Sequence, residues 1–216
     1  TTRLAWSRCA MATARAMAPL RDPAHLTAAG GLPRQVSLLA ATGANLAPEA
    51  IGEVWARAQT SAVLGMTSTG PMVVDLARDG PHALVGGTTG SGKSELLQAL
   101  VASLALANPP TRISFLLVDY KGGAAFRDTV SLPHVAGFVT DLDEHLAHRA
   151  LVSLDAEIRR REALLASLGA KDVDSALVRD PASTPARLVI MVDEFATLAR
   201  GVPASIDGLG DVGRRR

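Results

Sequence analysis

Gly87-Thr88-Thr89-Gly90-Ser91-Gly92-Lys93-Ser94 matches the phosphate-binding pattern G-x-x-x-x-G-K-[ST] at every required position. The run His82-Ala83-Leu84-Val85-Gly86 before it reads as a short apolar strand, and the Leu- and Ala-rich stretch from Glu95 to Ala107 after it reads as a helix. Strand, glycine loop and helix together give the motif a physical meaning. Gly87, Gly90 and Gly92 let the backbone bend until successive N–H groups converge on one point, a nest for an anion. The helix that starts there adds the partial positive charge of its N-terminus. Lys93 is expected to reach the β- and γ-phosphates of a nucleotide, and the Ser94 hydroxyl to take a place on Mg²⁺. Gly87, Thr88, Thr89, Gly90, Ser91, Gly92, Lys93 and Ser94 are therefore the expected ATP-binding residues.

Outward from the loop, composition sets bounds. A chain of 216 residues can bury a sizeable core as one domain with an appendage. Its 22 basic and 21 acidic residues nearly cancel, so no overall polycation announces a nucleic-acid partner, although a local basic surface stays open. Aromatic residues make up 3%, too few for a base-stacking platform. Cys9 is the sole cysteine, which excludes an internal disulfide framework and suits a reducing cytosol. The longest uncharged apolar run, Leu96 to Ala107, is too short to span a bilayer and contains Gln98 and Ser103. Arg3, Arg8 and Arg15 interrupt any signal-peptide core near the start. A chain that begins without Met and stops at Arg214-Arg215-Arg216 reads as a slice of something longer.

Upstream of the loop, Leu4 to Met17 reads as an amphipathic helix ended by Pro19, followed by a loop-rich stretch over 20–50. Ala50 to Thr60 reads as one short helix carrying Trp55. Ala62 to Met66 and Met72 to Leu76 read as a hairpin around Thr67-Ser68-Thr69-Gly70-Pro71. From Pro81 onward the pattern alternates strand and helix, as parallel α/β sheets do. Ile113 to Val118 is a buried-strand run ending in Asp119-Tyr120-Lys121-Gly122-Gly123, at the sheet edge where such folds place ligands. Thr140 or Asp141 is expected to cap a long helix lasting to Gly169, with Leu142, Leu146, Ala150, Leu154, Ile158, Leu165 and Leu168 on one stripe. His145 and His148 share one side of that helix, but no carboxylate or cysteine cluster joins them, so a surface role is expected.

A last buried-strand run, Leu188-Val189-Ile190-Met191-Val192, delivers Asp193-Glu194. An apolar strand ending in Asp-Glu supplies what a nucleotide hydrolase needs opposite its phosphate loop. Asp193 is expected to hold Mg²⁺ through its water shell, as a hard oxygen ligand. Glu194 is expected to orient and deprotonate the attacking water. A strand ending in acids is common; the two motifs in this order are specific.

The phosphate loop, Val118-Asp119-Tyr120-Lys121-Gly122-Gly123-Ala124-Ala125-Phe126, Leu132-Pro133-His134, Val139-Thr140-Asp141-Leu142, Arg159-Arg160-Arg161-Glu162 and Met191-Val192-Asp193-Glu194-Phe195 together resemble the FtsK/SpoIIIE family of P-loop ATPases. One branch of that family comprises hexameric motors that pump double-stranded DNA; the other comprises the EccC-type ATPases of type VII secretion, which export small helical proteins. The Asp-Tyr-Lys-Gly-Gly wording is similar to the secretion branch, where DNA pumps usually have Asp-Pro-Lys. The resemblance implies an α/β, RecA-like P-loop core, a parallel sheet flanked by helices, with a small α plus β-hairpin N-terminal extension. It implies a helical and loop extension over 1–60 and an ATPase domain over 61–216. It further implies a homo-oligomeric, hexameric ring in the cytoplasm, possible attachment to a membrane anchor outside this stretch, and ATP bound between neighbouring subunits.

Such sites take an arginine from the adjacent subunit to stabilise transition-state charge. Arg149 is the candidate, since at about 100° per residue it falls off the apolar stripe of its helix. Arg160 competes for the role. The run Arg159 to Arg161 reads either as a nucleic-acid contact or as a solvated helix end. Asp119 and Lys121 either sense the γ-phosphate or, for Asp119, merely cap the next segment.

In the family, the helix at Gly208-Leu209-Gly210-Asp211-Val212-Gly213-Arg214-Arg215-Arg216 leads into a strand with a polar sensor residue, and then into a further strand. The sensor strand lies between the phosphate-loop strand and the Asp-Glu strand in RecA-like sheets, so the expected core is C-terminally incomplete, with a gap in its sheet. These 216 residues alone are expected to be a weak ATPase or none. Three functions follow in order: an ATP-hydrolysing motor for protein secretion, a DNA translocase, and a nucleotide-gated binding module that does not turn over.

Overall fold

The structure is a computed structural model describing residues 32, 35–88, 90–120, 122–140 and 144–197; the side chains of 144, 145 and 147 lie outside that description. The expected helix over Leu4 to Met17, the stripe position Leu142, the cap Asp141 and the terminal run from Gly208 lie outside it too.

Two short helices, α1 (Leu38–Thr42) and α2 (Pro48–Arg57), precede a hairpin of β1 (Ser61–Thr67) and β2 (Gly70–Asp75). Pro48 opens α2 at a position where its missing N–H costs no hydrogen bond. The hairpin is antiparallel, pairing Thr67 with Gly70, and Gly70 at φ 144° takes a conformation that L side chains rarely adopt. Helix α3 (Lys93–Ala107) follows the phosphate loop, then β3 (Ile113–Asp119) and β4 (Val135–Thr140). The long α4 (Glu144–Ser167), the short α5 (Val173–Arg179) and β5 (Arg187–Asp193) complete the described chain.

The strands β4, β3 and β5 form a parallel sheet in that order. Strand β3 lies in the middle, which fits an Ile113 to Val118 run that is apolar with little alternation: its side chains are buried or half-buried on both faces. Phe115 and Leu117 are fully buried, together with Val101 and Leu104 from α3 and Phe126 from the segment after β3, and Met191 from β5 packs against them. Each such side chain contributes about 1.5–3 kcal/mol relative to exposure.

The hairpin and α2 are fastened to α3 by polar contacts. Val63 N–H donates to Ser103 Oγ at 2.7 Å, and Trp55 Nε1–H donates to the Ala105 carbonyl at 3.3 Å. Asn108, just past α3, donates from its side-chain amide to the carbonyls of Leu104 and Gln59 at 2.8 and 2.7 Å. One buried amide thus ends the helix and ties it to the segment before β1. Its own carbonyl meets His134 Nε2 at 2.8 Å, so His134 is a buried structural residue beside Trp55, with ring centroids 5.9 Å apart.

Three expectations need correction. Residues 82–86 form no strand, and Leu84 is 84% exposed. Backbone becomes a strand only when a neighbour takes its N–H and C=O groups, and among the described residues β5 pairs only with β3. Thr140 does not cap a helix; it is the last residue of β4, and α4 begins at Glu144. The stripe on α4 is uneven, with Leu154 buried but Leu146 41% exposed.

Three elements were not foreseen, the first being α1, which lies inside the stretch 20–50 read as loop-rich. Strand β4 carries Gly137 at its centre, where an added Cβ would lie 3.0 Å from Leu116 Cδ1, so glycine there allows close strand packing. Helix α5 has a capping box, with Ser175 N–H donating to Asp172 Oδ1 at 2.7 Å.

Candidate nucleotide site

The parallel register sets the site. Asp119, the last residue of β3, pairs with Thr140 on one side and Asp193 on the other. Three polar residues therefore end three adjacent strands in one row, at the edge where α/β sheets hold their ligands.

Across from that row stands the phosphate loop. Gly90 at φ 77° and Gly92 at φ 85° are both left-handed, and Gly92 caps α3 with no side-chain hydrogen bond to the helix's first amides. Those amides are thus left to an external acceptor. Gly87 lies so close to Ser91 that an added Cβ would run into the Ser91 hydroxyl. Lys93 Nζ folds back over its own loop and donates to the carbonyls of Gly87 and Thr88 at 3.1 and 3.0 Å. Thr89 lies outside the described residues.

The loop and the acidic strand meet. The Ser94 hydroxyl donates to Asp193 Oδ2 at 3.0 Å. Asp193 Oδ1 accepts the N–H of Glu194 at 2.9 Å, which turns the chain at once, and Glu194 sits at φ 55°, a left-handed conformation rare outside glycine. The Glu194 side chain is exposed, and its Oε2 accepts from Thr197 Oγ1 at 3.2 Å. A hydroxyl and a carboxylate in contact are hard oxygen donors of the kind that hold Mg²⁺ together with phosphate and water oxygens. Among the described residues no cluster of three or more His, Cys, Asp or Glu side chains is placed to hold a metal ion.

Asp119 is buried and accepts the Ala125 N–H at 2.9 Å, so it caps the segment that follows it. Gln98 on α3, read in the sequence only as an interruption of an apolar run, donates to the Ala125 carbonyl at 2.7 Å. Nothing in a local pattern marks Gln98, because its partner lies 27 positions away.

The candidate arginines differ in their surroundings. Arg149 is exposed on α4 and, among the described residues, makes no hydrogen bond or ion pair. Arg160 is held by both oxygens of Glu157, at 2.7 and 2.8 Å, while Arg161 also binds Glu157 and Arg159 binds Asp155. The Arg160 guanidinium, helped by Arg161, holds the Glu157 carboxyl down at about 2. The arginine run is therefore engaged along its own helix, and Arg161 also donates to the Ala186 carbonyl just before β5. His148 is exposed.

An apolar cavity of about 610 Å³ contains no residue of the phosphate loop but reaches the same helix, being lined by Glu95 and Gln98 together with Ile51, Trp55, Leu132 and His134. No helix among the described residues is long and apolar enough to cross a membrane.

A glycine loop opening a helix, beside a parallel sheet whose acidic strand end touches the loop's serine, defines a P-loop nucleoside-triphosphatase domain. The profile of the FtsK/SpoIIIE family matches residues 46–201, and the chain belongs to that family. It is 40% identical over 153 residues to the ESX-5 secretion system protein EccC5 of Mycobacterium tuberculosis, a match covering 66% of this chain and 11% of that protein. Its fold is similar to the cytoplasmic domain of the Thermomonospora curvata type VII secretion ATPase EccC, with a TM-score of 0.74 and 30% identity over 85% of this chain and 23% of that one. It is also similar to ATPases 2 and 3 of that EccC in complex with a signal sequence peptide, with a TM-score of 0.63 and 25% identity over 72% of this chain and 30% of that one. The chain thus spans about a tenth of the curated relative's length.

Proposed function

We propose that this chain is an ATP-binding and ATP-hydrolysing motor domain that powers type VII-like protein secretion. The observation that carries the reading is the 3.0 Å contact between Ser94 and Asp193, which puts the phosphate loop and the acidic strand end within reach of one ion. Ser94 and Asp193 would hold Mg²⁺, which when bound neutralises charge on the phosphate oxygens. Lys93 exchanges its loop carbonyls for phosphate oxygens, the amides of Gly90 to Ser94 grip the triphosphate, and Glu194 takes the proton of the attacking water.

Arg149 is the arginine offered to a neighbouring subunit, in a homo-oligomeric ring taken here as a hexamer; its exposure and lack of partners among the described residues support this. Residues 1–60 form an extension and 61–216 the ATPase domain, in the cytoplasmic part of a membrane-associated protein. A secreted protein is preferred to DNA as the moved polymer because of the relatives' type VII names and the Asp119-Tyr120 wording.

Glu194→Gln in the full-length protein tests the reading. It should lower hydrolysis by about 10²–10⁴ while nucleotide still binds and the fold is kept. Normal hydrolysis by that variant would remove Glu194 as the base. Stimulation by a helical secreted protein supports secretion, stimulation by double-stranded DNA instead selects a DNA translocase, and ATP binding without any turnover selects a gated binding module.

A further inference from the structure

The backbone of Ala125 is held on both sides of its Cα. Its N–H goes to the buried Asp119 carboxylate at 2.9 Å, and its carbonyl takes the Gln98 side-chain amide at 2.7 Å. Ala125 is buried and Phe126 beside it is fully buried in the core, so this segment has little room to shift on its own.

Gln98 stands one helical turn beyond Ser94 on α3, about 6 Å along the axis and on the same face. Asp119 stands beside Asp193 in the sheet register. The contacts therefore close a circuit: Ser94 to Asp193, across the sheet to Asp119, through Ala125 to Gln98, and back along α3 to Ser94. Gly122 and Gly123, at φ 82° and 66°, make the turn that leads into it, and a Cβ on Gly123 would lie 3.1 Å from Thr140 Oγ1, so the turn rides against the end of β4.

We infer that Gln98 is a positioning residue that couples nucleotide occupancy of the phosphate loop to the turn over residues 122–126. The inference rests on the nucleotide reading above. In the structure Lys93 bonds its own loop's carbonyls and Ser94 bonds Asp193, and a bound triphosphate offers both residues new partners at the first turn of α3. Rigid secondary elements can carry coupling between sites, and Gln98 lies one turn along the same helix from Lys93 and Ser94. From there one hydrogen bond leads to Ala125, at the sheet edge that carries Asp119.

Hydrogen exchange on the full-length protein, with and without ATPγS and Mg²⁺, tests this by comparing the wild type, Gln98→Glu, which replaces the donor by an acceptor of equal size, and Gln98→Lys, which keeps a donor. In the wild type the nucleotide should slow exchange both over 90–98 and over 122–127, the latter about tenfold, matching the net worth of one hydrogen bond. Gln98→Glu should keep the first effect and lose the second, and Gln98→Lys should keep both. A destabilised protein would lower protection with and without nucleotide alike, so the difference between the two states isolates coupling from stability. Should Gln98→Glu not fold, Gln98→Ala removes the donor without adding charge and is read in the same way. Protection of 122–127 that persists without a donor, or that is absent in the wild type while 90–98 responds, overturns the inference alone. Absence of any response at 90–98 overturns the nucleotide reading, and the inference with it.

Discussion

Ser94 and Asp193, 99 positions apart in the chain, meet through a 3.0 Å hydrogen bond from the serine hydroxyl to the aspartate carboxylate. If the two share one ion, removing either should have nearly the effect of removing both. Ser94→Ala and Asp193→Asn are each expected to weaken Mg²⁺-dependent nucleotide binding by at least about tenfold, and the double variant by little more. Titration with a fluorescent ATP analogue at varied Mg²⁺ checks this, and full additivity would separate the two residues.

Gly92 at φ 85° sets the direction of the first amides of α3. An alanine there meets backbone strain of roughly 1–2 kcal/mol, and relieving it turns those amides. Gly92→Ala is expected to cost more in phosphate binding than in thermal stability. Calorimetric titration set beside a melting curve shows which loss is larger.

Arg149→Ala should lower turnover by about 10³ while nucleotide affinity stays unchanged, because an arginine acting on a neighbour's site touches the transition state rather than the resting nucleotide. Steady-state hydrolysis compared with equilibrium binding separates the two effects. If Arg160→Ala produces that loss instead, the role passes to Arg160 and the Glu157 contact must break in the active assembly.

Glu157 provides a pH test of α4. Its carboxyl is lowered from 4.5 to about 2, first by the Arg160 hydrogen bonds and then by Arg161. A depressed carboxylate contributes stability that is complete above the unfolded value and is lost as pH falls through the folded one. The melting temperatures of the wild type and Glu157→Gln should therefore differ by a constant, small amount above about pH 4.5 and converge as pH approaches about 2. The difference is small because Arg160, the main partner, is 58% exposed and its pair with Glu157 is screened by solvent.

Phe126 is fully buried against α3 and β3, so Phe126→Ala is expected to destabilise the chain by about 3–5 kcal/mol. Chemical denaturation measures this directly.

The phosphate loop, the helix after it, the strands Ile113 to Asp119 and Arg187 to Asp193, and the hairpin around Thr67 to Gly70 were all legible in residue order. Each depends on a period or a turn residue written within a dozen positions. Strand β4 was not recognised, because Gly137 breaks its apolar run and the run is short. Helix α5 was missed although its Asp172 and Ser175 cap was there to be read. The strand expected at 82–86 did not form, because extended backbone needs a partner that no local pattern can supply.

Chemical type was thus a matter of residue order: Lys93, Ser94, Asp193 and Glu194 could be chosen from motifs, since phosphate and metal chemistry demand those side chains at those spacings. Adjacency was not. That Asp193 touches Ser94, that Asp119 stands beside it in register, and that Gln98 and Asp119 both bind the Ala125 backbone follow from which strands pair and where α3 packs. Those choices are made by burial of Phe115, Leu117 and Phe126 in a common core, and burial sums over the whole chain rather than over any stretch of it.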